Sequence, residues 1–248
     1  MRTNEISWPK IIAEGVAIVA SILLAFAIDR WWDARQARQE EIAALTPLLG
    51  ELQRVHRTLS DNDDYHTAIQ LSARRLIAVG NGHEGTLGDA EIDRLLCDQL
   101  WYSSPENLAT PELDFLADSG DLDLVRDPRL RREIGALPYS LAMARRPMER
   151  EYDFFMNRLL PHLARHSAMP QIWNVNCPRP GNPESEFAYG AKLAQGAPVS
   201  HRALVEDREF QGLMTVRIDI LAEAQSSPRL KEGVAASIRQ VEQILRTD

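Results

Sequence analysis

Two groups of residues have types and spacings that chemistry could use. Gly80, Gly82 and Gly85 match the G-x-G-x-x-G pattern of dinucleotide-binding loops, but that motif works between a strand and a helix. Here it follows a helical pattern, which indicates a loop that ends a helix. His162 and His166 are four residues apart and could point from one helix face toward a metal, yet no third ligand of the usual spacing accompanies them.

An acidic run at residues 61–64 has a composition that calcium-binding loops share. It lacks the glycine at loop position six and the closing glutamate, so an acidic helix N-terminus explains it better. No G-x-S-x-G, Walker or H-E-x-x-H motif is present in the sequence. The sequence therefore predicts no catalytic, cofactor-binding or metal-ligating residue. It leaves open a catalytic pair formed by Glu149 or Glu151 with His162.

Composition and charge narrow the class of protein. The chain has 248 residues, of which 44% are hydrophobic and two are cysteine, which excludes a disordered tail, a collagen-like repeat and a disulfide-rich mini-protein. The formal net charge is −8, and such a surface repels phosphate backbones. We therefore expect no nucleic-acid partner.

The strongest pattern is an apolar run at residues 11–28, which Glu14 alone interrupts with a charge. Trp8 precedes the run, and Trp31 and Trp32 follow it. The separation from Trp8 to Trp31 corresponds to about 34 Å of helix, close to the thickness of a bilayer core, and tryptophans favour bilayer interfaces. Lys10 and Glu14 can pair or extend toward the headgroups. The run predicts a transmembrane anchor over residues 11–32.

Two other interpretations of this run stay open. Residues 25–27 form an A-x-A triplet, which a cleaved signal peptide would also contain, and a buried helix of a soluble protein can be equally apolar. Small residues recur at every fourth position, at Ala13, Ala17, Ser21 and Ala25, and Asp29 continues the row. Such a stripe lets two helices approach closely in lipid and indicates self-association.

The anchor resembles a known family at its inner end. Residues 24–35 read LAFAIDRWWDAR, and residues 115–125, FLADSGDLDLV, precede a second helix start at residues 127–131. Both stretches are similar to an uncharacterised family of bacterial single-pass membrane proteins whose anchor ends in Ile, Asn or Asp, any residue and Trp. The resemblance implies a location in the bacterial inner membrane and a helical extramembrane region, without implying an activity.

The two cysteines indicate on which side of the membrane the domain would lie. Cys97 lies on a predicted helix and Cys177 in a proline-rich connection. In the periplasm they could form a disulfide that closes a loop of roughly 80 residues, worth about 4 kcal/mol. Two cysteines can also be a coincidence. Basic residues on the two sides of the anchor are nearly balanced, so the pair alone weakly favours a periplasmic domain.

The rest of the chain predicts helices. Ile42, Leu45, Leu49, Leu52, His56 and Leu59 form an apolar seam with spacings of three and four, which Pro47 should bend. Capping residues before or near a helix start predict helices near 62–79, 89–102, 111–118, 128–166, 203–225 and 228–246. Strand-like alternation is nearly absent, and residues 168–200 form an irregular, proline-rich connection.

We therefore expect an all-α protein with a tail (1–10), a transmembrane anchor (11–32), a helical stalk (33–60) and an extramembrane helix bundle (61–248). The expected function is assembly or protein-partner binding at the membrane, with the lipid bilayer and a protein partner or a second copy as binding partners. A membrane-tethered hydrolase-like enzyme and a ligand-sensing module are the alternatives.

Overall fold

A computed structural model describes residues 8–83, 87–174 and 197–246, and their side chains except those of residues 8–16 and 174. Helices α1 to α9 make up most of this part of the chain, and none of its residues lies in a strand. The all-α fold is therefore confirmed. The helices are α1 (Trp8–Gly80), α2 (Asp89–Asp98), α3 (Pro111–Asp118), α4 (Pro128–Phe154), α5 (Leu160–His166), α6 (Met169–Asn174), α7 (Arg202–Glu206), α8 (Arg208–Glu223) and α9 (Pro228–Arg246).

Helix α1 is a single element of 73 residues, or about 110 Å. The helix continues through Pro47, whose side chain is exposed; the bend expected at this residue stays a prediction. Proline has no N–H to donate to the carbonyl of Ala43, one turn earlier in the helix. The helix predicted to begin near residue 62 is therefore the later part of α1.

The later helices follow the predicted starts closely. Asp127 caps α4 by accepting hydrogen bonds from the amides of Arg129 and Leu130, and Asp207 caps α8 through the amide of Phe210. The predicted helix over 128–166 consists of α4, a π-helical turn at Phe155–Leu159 and α5. Pro161 is the second residue after that turn, and it has no N–H to donate to the preceding turn of helix.

Two apolar clusters pack along α1. The first surrounds residues 45–59 and includes side chains from α3, α4 and α9, while the second surrounds residues 73–79 and includes α2, α5, α7 and α8. Between these clusters, Tyr65 and Ile69 of α1 form a small third apolar cluster with Leu221, and α1 also contributes the buried polar residues Asn62, His66 and Ser72. The bundle thus has two large apolar cores, and the layer between them holds buried polar residues beside this small cluster.

The segment predicted as a separate stalk, residues 33–60, belongs largely to the first core. Glu41 is 2% exposed and Leu45 and Leu52 are fully buried. The predicted seam is shifted slightly, because Leu48 and Val55 are buried where Leu49 and His56 are only half-buried. The bundle therefore begins about twenty residues earlier in the chain than the predicted boundary at residue 61.

The predicted transmembrane anchor at residues 11–32 is not supported by the structure. Within the part of the chain that is described, no helix combines the length and the apolar character needed to cross a membrane. The side chains of residues 11–16, where the predicted span begins, lie outside the described ones.

Candidate functional site

The first described part of α1 extends away from the bundle. Every side chain from residue 17 to residue 36 is exposed, and the first buried one is that of Glu41. Nine large apolar or tryptophan side chains in this segment have exposed fractions of 50–63%. They are Ile18, Val19, Ile22, Leu23, Leu24, Phe26, Ile28, Trp31 and Trp32. We call residues 17–36 the projecting segment.

Aromatic and charged side chains mark its inner end. The rings of Trp31 and Trp32 are 6.4 Å apart, and the Arg35 guanidinium lies 5.8 Å from the Trp31 ring, a cation–π contact. At this end, the segment also contacts the bundle, because the Arg126 guanidinium donates to the carbonyl of Ala34 at 2.9 Å. The projecting segment therefore joins the bundle through a tryptophan pair and a short zone of charge.

The structure describes the side chains of only some of the predicted anchor residues. Those of Trp8, Lys10, Ala13 and Glu14 are outside the description. Ala17, Ser21, Ala25, Asp29, Trp31 and Trp32 are exposed on the projecting segment. The Ser21 hydroxyl donates to the Ala17 carbonyl at 2.8 Å, so its hydrogen bond is made within its own helix. The small-residue stripe is thus open for contact along its described part.

A buried polar network lies between the two apolar cores. Arg217 of α8 is fully buried and donates to the carbonyl oxygens of Gln99 and Trp101. It also donates to Glu151 Oε1 of α4 at 3.1 Å. The second Glu151 oxygen accepts from the Ser103 amide at 3.0 Å. An arginine and a glutamate on two helices therefore hold the segment that follows α2.

The charge of this network is balanced within the protein. Burial raises the pKa of the Glu151 carboxyl above its ordinary value, while the Arg217 guanidinium and the Ser103 amide oppose the rise. A buried charge without such partners would be strongly unfavourable. The pair thus ties α4, α8 and the chain at 99–103 into one arrangement.

A serine and a histidine meet beside this pair. The Ser103 hydroxyl lies 2.7 Å from His66 Nε2 of α1, a distance typical of a nucleophile and its base. The nearby Glu151 carboxylate does not orient the histidine, because it binds the Ser103 amide and Arg217. The contact fits a polar layer that positions a chain segment.

The catalytic pair left open by the sequence does not form. Glu151 binds Arg217 and Ser103, and Glu149 is exposed. His162 is 2% exposed, with Nδ1 at 3.5 Å from Glu209 Oε1 and its ring 4.6 Å from that of His166. His162 is buried because its ring stacks against Phe210 at 6.2 Å between centroids, whereas His166 is exposed.

The other motifs have structural roles. Gly80 ends α1 against α7, where an added Cβ would lie 2.2 Å from the carbonyl oxygen of Val205, and residues 84–86 are outside the description. Asp63 accepts from the Ser226 amide at 2.7 Å and from Lys231 Nζ at 2.5 Å. It therefore holds the start of α9. Among the described residues, no group of three or more His, Cys, Asp or Glu side chains is placed to hold a metal.

The proline-rich connection is fastened at both described ends. His201 Nδ1 lies 2.6 Å from Asp93 Oδ1 of α2, and His201 Nε2 accepts from the Ala168 amide at 2.9 Å. Gln171 of α6 binds both Asp93 and the backbone of Val199. The first part of this stretch is helical, as α6, rather than irregular.

The predicted disulfide stays a prediction. Cys97 is 3% exposed in the second core, and no free cysteine occurs in the described part of the chain. Cys177 lies outside the described residues.

Comparison with known proteins adds no relative: no protein-family model, no curated protein and no solved structure matches the chain. The resemblance of residues 24–35 and 115–125 to a family of bacterial single-pass membrane proteins therefore stays a prediction.

Proposed function

We propose that this protein is a membrane-tethered helical module, with the start of α1 inserted in a bilayer and the bundle in water. The observation that carries the proposal is the exposure of nine large apolar side chains in the projecting segment. Contiguous apolar surface of this kind is unfavourable in water and typical of sites that contact lipid or another protein. We name lipid as its environment.

The apolar character continues along the helix toward its start. The described apolar part, residues 17–28, spans about 18 Å, which is shorter than the roughly 30 Å core of a bilayer. The backbone of α1 continues to Trp8, and residues 11–16 are apolar or small apart from Glu14. As one helix, residues 11–28 would extend about 27 Å, close to the thickness of a bilayer core.

The tryptophans support the same proposal. Trp31 and Trp32 are 59% and 61% exposed at the inner end of the segment, where their rings would lie at the headgroup level. Asp33 and Arg35 follow them in the zone that would face water. We propose the bacterial inner membrane, with the bundle on the periplasmic side, and assembly or partner binding as the role of the bundle.

A second copy is the proposed protein partner. In lipid, helices associate through close packing of small residues, and Ala17, Ser21 and Ala25 are exposed on one face of the projecting segment. The tether and the stripe occupy the same segment, so association would occur within the membrane.

The test is extraction of the full chain from bacterial membranes with alkaline carbonate, which releases peripheral proteins. Wild type should stay in the membrane pellet. A Leu23→Glu, Phe26→Glu double variant should move to the supernatant, because two carboxylates near the centre of a span are costly. Leu71→Glu is the matched control: Leu71 lies on the same helix and is 59% exposed in the bundle.

The outcomes separate lipid from other occupants. Wild type in the supernatant would overturn the proposal, as would a double variant that stays in the pellet. If wild type were released as an oligomer that the double variant dissolves, the apolar segment would contact protein and the membrane proposal would fail. Loss of Leu71→Glu from the pellet would show that the assay reports folding, and would also count against the proposal.

A further inference from the structure

A cavity of about 500 Å³ opens beside the buried polar network. It lies between the chain at 100–107, the π-helical turn, α5 and α6. This volume is within the range of small-molecule sites, which are commonly about 300–1,000 Å³. A π-helical turn in its wall is a feature that recurs at functional sites.

Aromatic rings supply much of the wall, from Trp101, Tyr102, Phe155 and Trp173. The Tyr102 ring stacks on Phe155 at 5.0 Å between centroids, and the Arg217 guanidinium lies 5.5 Å from the Phe155 ring. Phe155 is thus held between an aromatic ring and a buried cation. The aromatic residues together give the cavity a wall that suits a planar ligand.

Polar groups lie along one edge of the cavity, from Ser103, Ser104 and Asn107. The Ser103 hydroxyl forms a hydrogen bond with His66 Nε2 at 2.7 Å. Because a hydroxyl has one donor and two acceptor positions, it can form another hydrogen bond. Ser104 makes no capping hydrogen bond to the 3₁₀ turn at Pro105–Leu108 that follows it. The edge can therefore bind a small polar substituent.

The buried network fixes this edge in place. Arg217 binds the carbonyl of Trp101, and Glu151 binds the amide of Ser103. The cavity wall is thereby anchored to α4 and α8 on either side of Tyr102. A prepared wall lowers the cost of ordering a site on binding.

The charge of the ligand follows from the lining. Each described lining residue has an uncharged side chain: aliphatic, thioether, aromatic, hydroxyl or amide. An anion that entered would lose water without gaining a counter-charge, and it would meet the negative faces of the aromatic rings. The lining therefore selects against anions.

We propose that this cavity binds a planar aromatic compound that carries no negative charge and has one hydrogen-bonding group. The ring packs on the Trp101 and Tyr102 side, and the polar group binds Ser104 and Asn107. The inference goes beyond the membrane tether and does not depend on it, since no cavity residue belongs to the projecting segment.

The test uses 2-naphthol, which is uncharged at neutral pH, with naphthalene-2-sulfonate as its anionic counterpart. Binding to the purified full chain is measured by isothermal titration calorimetry, with protein-free lipid or detergent as the blank. 2-Naphthol should bind saturably at one site and naphthalene-2-sulfonate should bind more weakly by at least about tenfold. Absence of saturable 2-naphthol binding, or equal binding of the sulfonate, would overturn the proposal.

Two variants locate the site. Leu160→Trp places an indole in the cavity and should weaken 2-naphthol binding by at least about tenfold. Met143→Trp is the matched control, because it lines a different cavity of about 520 Å³ between α4 and α9 and should leave binding unchanged. Equal weakening by both variants, or by the control alone, would place the ligand elsewhere.

A third variant tests the polar edge. Ser104→Ala removes a hydroxyl that caps no helix, so it should leave the fold unchanged and weaken 2-naphthol about threefold, as expected for one lost hydrogen bond. Binding of naphthalene, which has no polar group, should not change. Equal weakening of both compounds would show that the hydroxyl does not recognise the substituent.

Discussion

The two ends of α1 belong to one continuous helix but have opposite surroundings. In residues 41–80, apolar side chains recur on one face and Leu45, Leu52 and Ile69 are fully buried by other helices. In residues 17–36, apolar side chains surround the helix and all are exposed. A stripe is typical of a helix packed in a protein, whereas an apolar circumference is typical of one surrounded by lipid or protein. Burial along α1 therefore differs because residues 41–80 pack against other helices of the bundle and residues 17–36 do not.

Acidic residues repeat this contrast. In the bundle part, Glu51 accepts from the amides of Glu112 and Leu113 at 3.1 and 2.8 Å, and Glu41 accepts from the amide of Arg126 at 2.9 Å. These carboxylates satisfy amides at the start of α3 and just before α4. In the projecting segment, Asp29 is exposed. The same residue type is structural in one part and solvated in the other.

The largest expected difference between the two parts comes from leucine truncation. Leu52→Ala should lower the free energy of unfolding by about 2–5 kcal/mol, because it leaves a cavity in the first core. Leu23→Ala should change it by no more than about 0.5 kcal/mol. Urea unfolding of the full chain in one mild detergent, followed by far-UV circular dichroism, measures both. Similar costs at the two positions would mean that the projecting segment packs against protein in solution.

The carboxylates should show a smaller effect. Glu51→Ala removes the acceptor of two backbone amides at the start of α3 and should cost about 1–2 kcal/mol of unfolding free energy, as lost helix caps do. Asp29→Ala is the matched control and should have little effect. If Glu51→Ala were as mild as Asp29→Ala, water would replace the carboxylate and the contrast between the two parts would not extend to polar groups.

The smallest effect should appear as a dependence on pH. Burial raises the pKa of Asp98 above its ordinary value of 3.8, and the Ser72 hydroxyl of α1 and the charge of Arg94 oppose the rise. The fold therefore favours the protonated acid. That contribution to stability is fully present below the unfolded-state pKa and is lost as pH rises through the folded-state pKa.

Asp98→Asn, which cannot ionise, tests this dependence. Wild type should lose stability relative to the variant as pH rises from acid toward neutral, measured by urea unfolding at a series of pH values. A difference that is flat, or that grows in favour of wild type with rising pH, would contradict the prediction. Ser72→Ala removes the hydroxyl that opposes the rise in the Asp98 pKa. In this variant, the loss of stability with rising pH should therefore extend to higher pH than in wild type.

Local patterns predicted most helix boundaries. The Asp127 cap and Pro128 mark the start of α4, and Ser227 and Pro228 mark that of α9, as expected from the short-range chemistry of helix ends. The spacing of apolar residues located the buried face of α1 in the first core to within one residue, because Leu48 and Val55 are buried in place of Leu49 and His56.

The buried polar layer was not predicted from the sequence. Arg217 is separated from Glu151 by 66 residues, and His66 from Ser103 by 37. No short motif links such pairs, and exposed arginines and glutamates are far commoner than buried ones. A signal was present only in α8, where Arg217 lies among Met214, Ile218 and Leu221 on the apolar face.

The sequence by itself determined the all-α class, most helix starts, the two contrasting patterns within α1 and the absence of familiar catalytic motifs. These features depend on residues within a few positions of each other, where backbone geometry and capping act. The tertiary structure alone decided that residues 41–60 join the bundle, that Glu151 pairs with Arg217, and that aromatic rings from segments far apart in the chain line one cavity. Those features require contacts between residues far apart in the chain, and only packing brings them together.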